Sequence, residues 1–161
     1  MKKLFLSLML ALLMGPGVVF AANIPAVVDA ETGGPEVWIT SVYNNSGSTL
    51  SAGSVVVWDI GSSTGDNDNW VTTTTTADSY LVAGVVWPNS ITAANTGSIA
   101  IKGPVTVNVQ GGLQAAGGLA CTSGTAGEAR SCITDAAAFG IVTLPDDGDA
   151  DTAIVNVNRA N

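Results

Sequence analysis

The sequence predicts an all-β protein, a single small β-barrel or β-sandwich domain of about eight short, mostly antiparallel strands. Three observations carry that prediction. Charged residues make up only 11% of the chain, and Val, Thr, Ala, Gly, Ser and Asn fill the rest, a mixture of strand formers and turn formers. Short β-branched or apolar runs recur, each closed by glycine, proline or asparagine. Only residues 126–138, where alanines and Glu128 sit between glycines, leave room for a short helix.

Residues 1–22 read as a secretory signal peptide: Met1-Lys2-Lys3, an apolar run from Leu4 to Leu13, a Gly15-Pro16-Gly17 break and the small-residue end Ala21-Ala22. The run is too short to span a membrane, which takes about 18 apolar residues. The expected mature protein is therefore exported, to the periplasm, the extracellular space or a virion surface. Residues 23–36 carry two prolines before Glu36 and a Gly-Gly pair with no periodic pattern, and read as a flexible lead-in to a β domain at 37–161.

The strands follow in order. Residues 37–43 are β-branched and aromatic and stop at the turn cluster Asn44-Asn45-Ser46-Gly47. Residues 54–60 come next, and the continuous apolar run Val55-Val56-Val57-Trp58 predicts burial on both faces. After a polar loop, Trp70, Val71 and the five threonines 72–76 read as one strand, because threonine's branched Cβ favours extended backbone. Residues 80–87 form another, ended by Pro88, which cannot donate to a ladder. Residues 98–102 and 105–109 both alternate apolar and polar, and Gly103-Pro104 between them reads as a hairpin turn. Residues 139–144 and 153–157 close the chain around an acidic turn at 146–151.

Cys121 and Cys132 are the only two cysteines of an exported chain, so a disulfide is expected. Closing that loop is worth about 3 kcal/mol in the chain-entropy model. With signal cleavage, only Lys102, Arg130 and Arg159 remain against 13 carboxylates, a formal charge of −10. Such a surface repels nucleic acid and anionic membrane, and neither is expected as a partner.

The chain has no histidine, which removes the commonest general base and metal ligand. It has no Ser-x-x-Lys motif, and a Ser–Lys pair would have to use Lys102 beside the Gly-Pro turn. Most acids lie in turns rather than in an apolar cleft, so hydrolysis by paired carboxylates is a remote reading, and the chain is read as no enzyme. Asp147, Asp149 and Asp151 alternate as calcium ligands do, but Thr152 and Asn158 stand where an EF-hand places glycine and glutamate. A solvated acidic loop explains them better, and no cofactor is expected. Trp38, Trp58, Trp70 and Trp87 are in or beside strands and read mainly as packing residues. Trp70, after the polar loop, is the tryptophan expected to be exposed, and the one to bind a ligand such as glycan.

Asn44-Asn45-Ser46-Gly47-Ser48-Thr49-Leu50-Ser51-Ala52-Gly53-Ser54-Val55-Val56, then Val82-Ala83-Gly84-Val85, then Gly97-Ser98-Ile99-Ala100-Ile101-Lys102-Gly103-Pro104-Val105 form a pattern. Phe139-Gly140-Ile141-Val142 and Ala153-Ile154-Val155-Asn156-Val157 continue it. The pattern resembles the small β-rich capsid decoration, or cement-like, proteins of tailed bacteriophages and their uncharacterised relatives. That resemblance implies a structural protein that forms homo-oligomers, commonly trimers, on a capsid, filament or cell-surface scaffold, with no catalytic residues. The signal peptide departs from the pattern, since phage decoration proteins act on capsids assembled in the cytoplasm. From the residues alone, a secreted glycan-binding module is the alternative.

Overall fold

Two valine-rich segments, 55–57 and 82–86, are buried along their whole length, and the architecture follows from what covers each of their faces. The computed structural model describes residues 26–28, 36–61, 69–111, 115–133, 135–145 and 151–158. Within them run ten strands: β1 (Ala26–Val28), β2 (Val37–Asn44), β3 (Val55–Trp58), β4 (Trp70–Thr72), β5 (Val82–Val86) and β6 (Thr96–Asn108). The remaining four are β7 (Leu119–Thr122), β8 (Ala129–Ser131), β9 (Gly140–Leu144) and β10 (Thr152–Asn158), with one 3-10 turn at Asp135–Ala137.

The order β2-β4-β3-β5-β6 closes on itself because β6 also pairs with β2, which makes a five-stranded barrel. Only the β2–β4 contact is parallel, and the other barrel pairings are antiparallel. Val42, Leu50, Val56, Val71, Ala83, Val86, Ile91 and Ile99 fill its interior. Closure leaves no free edge among these five strands. The same valine runs present their other side outwards, where Val55, Val57, Val82 and Val85 join a second core. Of the run Val55-Val56-Val57-Trp58, expected to be buried on both faces, the three valines are buried and Trp58 is half-buried.

The second core is covered by an outer layer in the order β6-β10-β9-β7-β8. Phe139, Val142, Val105, Val107, Val155 and Val157 supply its bulk, while Ala120 and Ala129 let the strands approach. At the far side, Val109 bridges Ala129 and the Gln110 N–H donates to the Ala129 carbonyl at 2.8 Å. The layer thus curls back towards the strand from which it started, and the β8 edge is covered in part.

β6 belongs to both halves. Residues 98–109 were expected as a hairpin, but Gly103-Pro104 lies inside one 13-residue strand. The register explains why. Trp38 faces Lys102 and Ile39 faces Ala100, so one extra β6 residue bulges at this point and the strand bends without reversing. Gly103 has φ +101°, and a Cβ there would strike the Glu36 carbonyl oxygen. The bend hands the strand from β2 and β5 to β10.

Three other expectations change. The threonine run is strand only to Thr72, because β3 offers β4 two partners, Val57 and Trp58. The carbonyl of Thr76 instead accepts a hydrogen bond from the Thr122 hydroxyl at 2.9 Å. The stretch read as a short helix holds β8 and the 3-10 turn, since Gly127, at φ +81°, turns the chain into strand pairing with β7. Within the segment read as a flexible lead-in, Ala26–Val28 pairs antiparallel with β2. The signal segment 1–22 lies outside the described residues.

Candidate functional site

The parallel contact between β2 and β4 sets Tyr43 beside Trp70, with ring centroids 5.2 Å apart and planes tilted by 35°. Both residues are half-buried, so Trp70 is not the fully exposed platform that its place after a polar loop suggested. Polar groups adjoin the pair. The Asn45 side-chain amide donates to Asp59 Oδ2 at 2.6 Å, and the Asp59 N–H donates to the Trp70 carbonyl at 3.0 Å.

Asn44, fully buried beneath this end of the barrel, makes the arrangement rigid. Its Nδ2 donates to the carbonyls of Ser48 at 2.7 Å and Ile91 at 2.9 Å. Its Oδ1 accepts from the Ser46 N–H at 2.9 Å and lies 2.7 Å from the Ser46 hydroxyl. One side chain therefore ties the end of β2 to the 46–48 turn and to the segment before β6. A satisfied buried amide of this kind specifies a single loop geometry. Chemically, the cluster offers aromatic surface, one carboxylate and one amide, which suits stacking and hydrogen bonding. Among the described residues it pairs no two carboxylates for proton transfer.

The other singled-out residues are dispersed. Cys121 and Cys132 form a disulfide, with Cα atoms 5.0 Å apart, linking β7 to the residue after β8. Asp147 and Asp149 lie outside the described residues, and Asp151 stands exposed before β10. Among the described residues, no three His, Cys, Asp or Glu side chains converge as a metal site. Lys102 is exposed and sits 4.5 Å from the centroid of the Trp38 ring, a cation–π contact rather than a partner for serine. Trp58 packs against the barrel interior and Trp87 against the second core, as strand-borne tryptophans do.

Two contacts have no local signal in the sequence. Arg130 Nη2 meets Asp78 Oδ2 at 3.0 Å across 52 residues, joining β8 to the turn before β5. Next to it the Ser79 N–H donates to the Thr122 hydroxyl at 2.7 Å and the Asp78 N–H to the Thr122 carbonyl at 3.1 Å.

No family model matches the chain, and no curated protein matches its sequence. Among solved structures, the fold is similar to the head fiber gp8.5 N base of bacteriophage phi29. The two superpose with a TM-score of 0.54 at 12% identity, over 76% of this chain and 97% of that one. The shared feature is the all-β fold, and the neighbour that has it is a structural part of a phage head, in line with the resemblance to phage structural proteins drawn from the strand motifs.

Proposed function

We propose that the protein is a non-enzymatic structural component of a virion or of an exported surface assembly, which self-associates or decorates a repeating surface. The observation that carries this reading is the fold held in common with a phage head fiber base. Fold alone does not select a job, so the reading also draws on the polar groups described above. The polar clusters of the described residues serve architecture: Asn44 fixes loops, and Arg130–Asp78 and the disulfide join the two layers or staple one. The disulfide also fits an oxidising location outside the cytoplasm.

Gold-labelled antibody against the native protein, imaged on particles and envelopes from the producing cells, tests this. The reading predicts label at regular spacing on a particle, filament or cell surface. Label found only on soluble protein would overturn it.

A second reading, a glycan-binding module, has one observation in its favour, the half-buried Tyr43–Trp70 pair beside Asn45 and Asp59. It predicts a tryptophan fluorescence change with at least one member of a glycan panel, lost in Trp70→Ala. An unchanged spectrum across the panel, with and without calcium, removes it.

A further inference from the structure

This inference rests on the glycan-binding reading given second above and names the class of glycan and the line along which it lies. We infer that Thr96, Tyr43, Trp70 and Asp59, with Asn45 beside them, bind an uncharged polysaccharide chain laid across β6, β2, β4 and the end of β3.

The register places these residues in one row. Val42, Val56, Trp58 and Val71 pack in the barrel interior, so alternation turns Tyr43, Trp70 and Asp59 to its outside. Tyr43 is paired with Thr96 on β6 and with Trp70 on β4. The Asp59 N–H donates to the Trp70 carbonyl at 3.0 Å, which sets Asp59 across from Trp70. Three steps between neighbouring strands span roughly 14 Å, the reach of a short oligosaccharide. Two residues before Asp59, Val57 faces the same way and is buried in the second core. At the row that cover has ended: Thr96 is exposed, and Tyr43, Asn45, Asp59 and Trp70 are half-buried.

Two amides hold the row in place. Asn44 lies between Tyr43 and Asn45 in the chain, and its buried side chain is bound to Ser46, Ser48 and Ile91, which fixes the backbone that carries both neighbours. The Asn45 amide in turn donates to Asp59 Oδ2 at 2.6 Å and orients the carboxylate. A site set before the ligand arrives loses less freedom on binding.

The chemistry of the row selects the occupant. Rings tilted by 35° give apolar surface for the C–H face of a pyranose, while a carboxylate accepts hydrogen bonds from sugar hydroxyls and a threonine hydroxyl can donate or accept. Acidic sugars are disfavoured, because the chain carries 13 Asp and Glu against 5 Lys and Arg and the row itself holds Asp59. An organic cation is the poorer match, since Asp59 Oδ2 already accepts the Asn45 amide and two adjacent rings make one wall rather than a cage. An uncharged sugar uses the rings, the carboxylate and the hydroxyl together.

Isothermal titration calorimetry tests this with soluble neutral glucan, galactan and mannan and their oligosaccharides, with polygalacturonate and with choline chloride. Circular dichroism confirms the fold of each variant. At least one neutral polymer is expected to bind, with affinity rising over the first few sugars of its oligosaccharides and then levelling. Trp70→Ala should weaken binding about thirtyfold, Asp59→Asn about tenfold and Thr96→Ala about threefold, whereas Trp70→Phe, which keeps a ring, should stay within about threefold of the wild type. Neutral-polymer binding that is unchanged in folded Trp70→Ala and Asp59→Asn overturns this site and leaves a glycan-binding module in place. Binding of polygalacturonate alone overturns the uncharged class and leaves the same reading standing. Binding of choline alone, or of no probe at all, overturns both.

Discussion

The barrel and the outer layer are built from different materials. In the barrel, five strands close on a core of valine, isoleucine and leucine, and every strand is flanked on both sides. The outer layer packs Phe139 and a set of valines against alanines, includes two strands of three or four residues, β7 and β8, and is cross-linked by the only disulfide. The difference shows that a closed barrel holds itself by burial, whereas short, small-residue strands need covalent and ionic ties. Four perturbations follow from this contrast, and each would break or sharpen it.

The largest effect is expected from Phe139→Ala. Among the described residues Phe139 is the largest fully buried side chain, and its loss should cost about 4 kcal/mol. Hydrogen exchange should rise first in β7 to β9. Equal loss of protection in β2 to β5 would show that the two regions are one cooperative unit.

Replacing both cysteines, Cys121→Ser with Cys132→Ser, should cost about 3 kcal/mol, seen in chemical denaturation. Amides of β7 and β8 should lose protection while those of the barrel keep theirs. Reduction of the native protein should reproduce the pattern, and an unchanged midpoint would mean that pairing with β9 and Val109 suffices to hold these strands.

Asn44→Ala tests the barrel at a deeply buried polar hub. It leaves the Ser48 and Ile91 carbonyls without their amide donor and should cost about 2 kcal/mol. Heteronuclear NMR should show the disturbance confined to residues 46–48 and 91–95. Loss of stability below about 0.5 kcal/mol would mean that water replaces the amide.

The smallest effect belongs to Asp78→Asn, which weakens the tie between layers. The pair is partly exposed, with side chains 14% and 24% accessible, so the cost should be about 1 kcal/mol or less. Thermal unfolding in low and high salt reads it, since screening should shrink the difference between variant and wild type.

The same contrast governs what was legible in the sequence. The barrel strands announce themselves, because Val55-Val56-Val57 and Val82-Ala83-Gly84-Val85-Val86 are continuous apolar runs that demand cover on both sides. The turn at Asn44-Asn45-Ser46-Gly47 was readable too, and Gly47 has the positive φ that such a turn uses. That Asn44 is buried was not readable, since it depends on Ile91, 47 residues away. Gly103-Pro104 misled because a bulge and a hairpin turn share one local signature, and only the partner strands tell them apart. β7 and β8 were hidden, as Leu119-Ala120-Cys121-Thr122 and Ala129-Arg130-Ser131 are too short and too mixed to signal a strand. Their order comes from the disulfide, the Asp78 contact and non-local pairing. Trp70 looked exposed next to a polar loop, but Tyr43 arrives beside it through a parallel pairing that no local pattern encodes.

The central claim is that this all-β chain is a structural subunit made to associate. Light scattering of the protein, oxidised and reduced, across a range of concentration measures it most directly. The account predicts a defined assembly larger than one chain when oxidised. A monomer at every concentration, with no regular label on any surface, would contradict it.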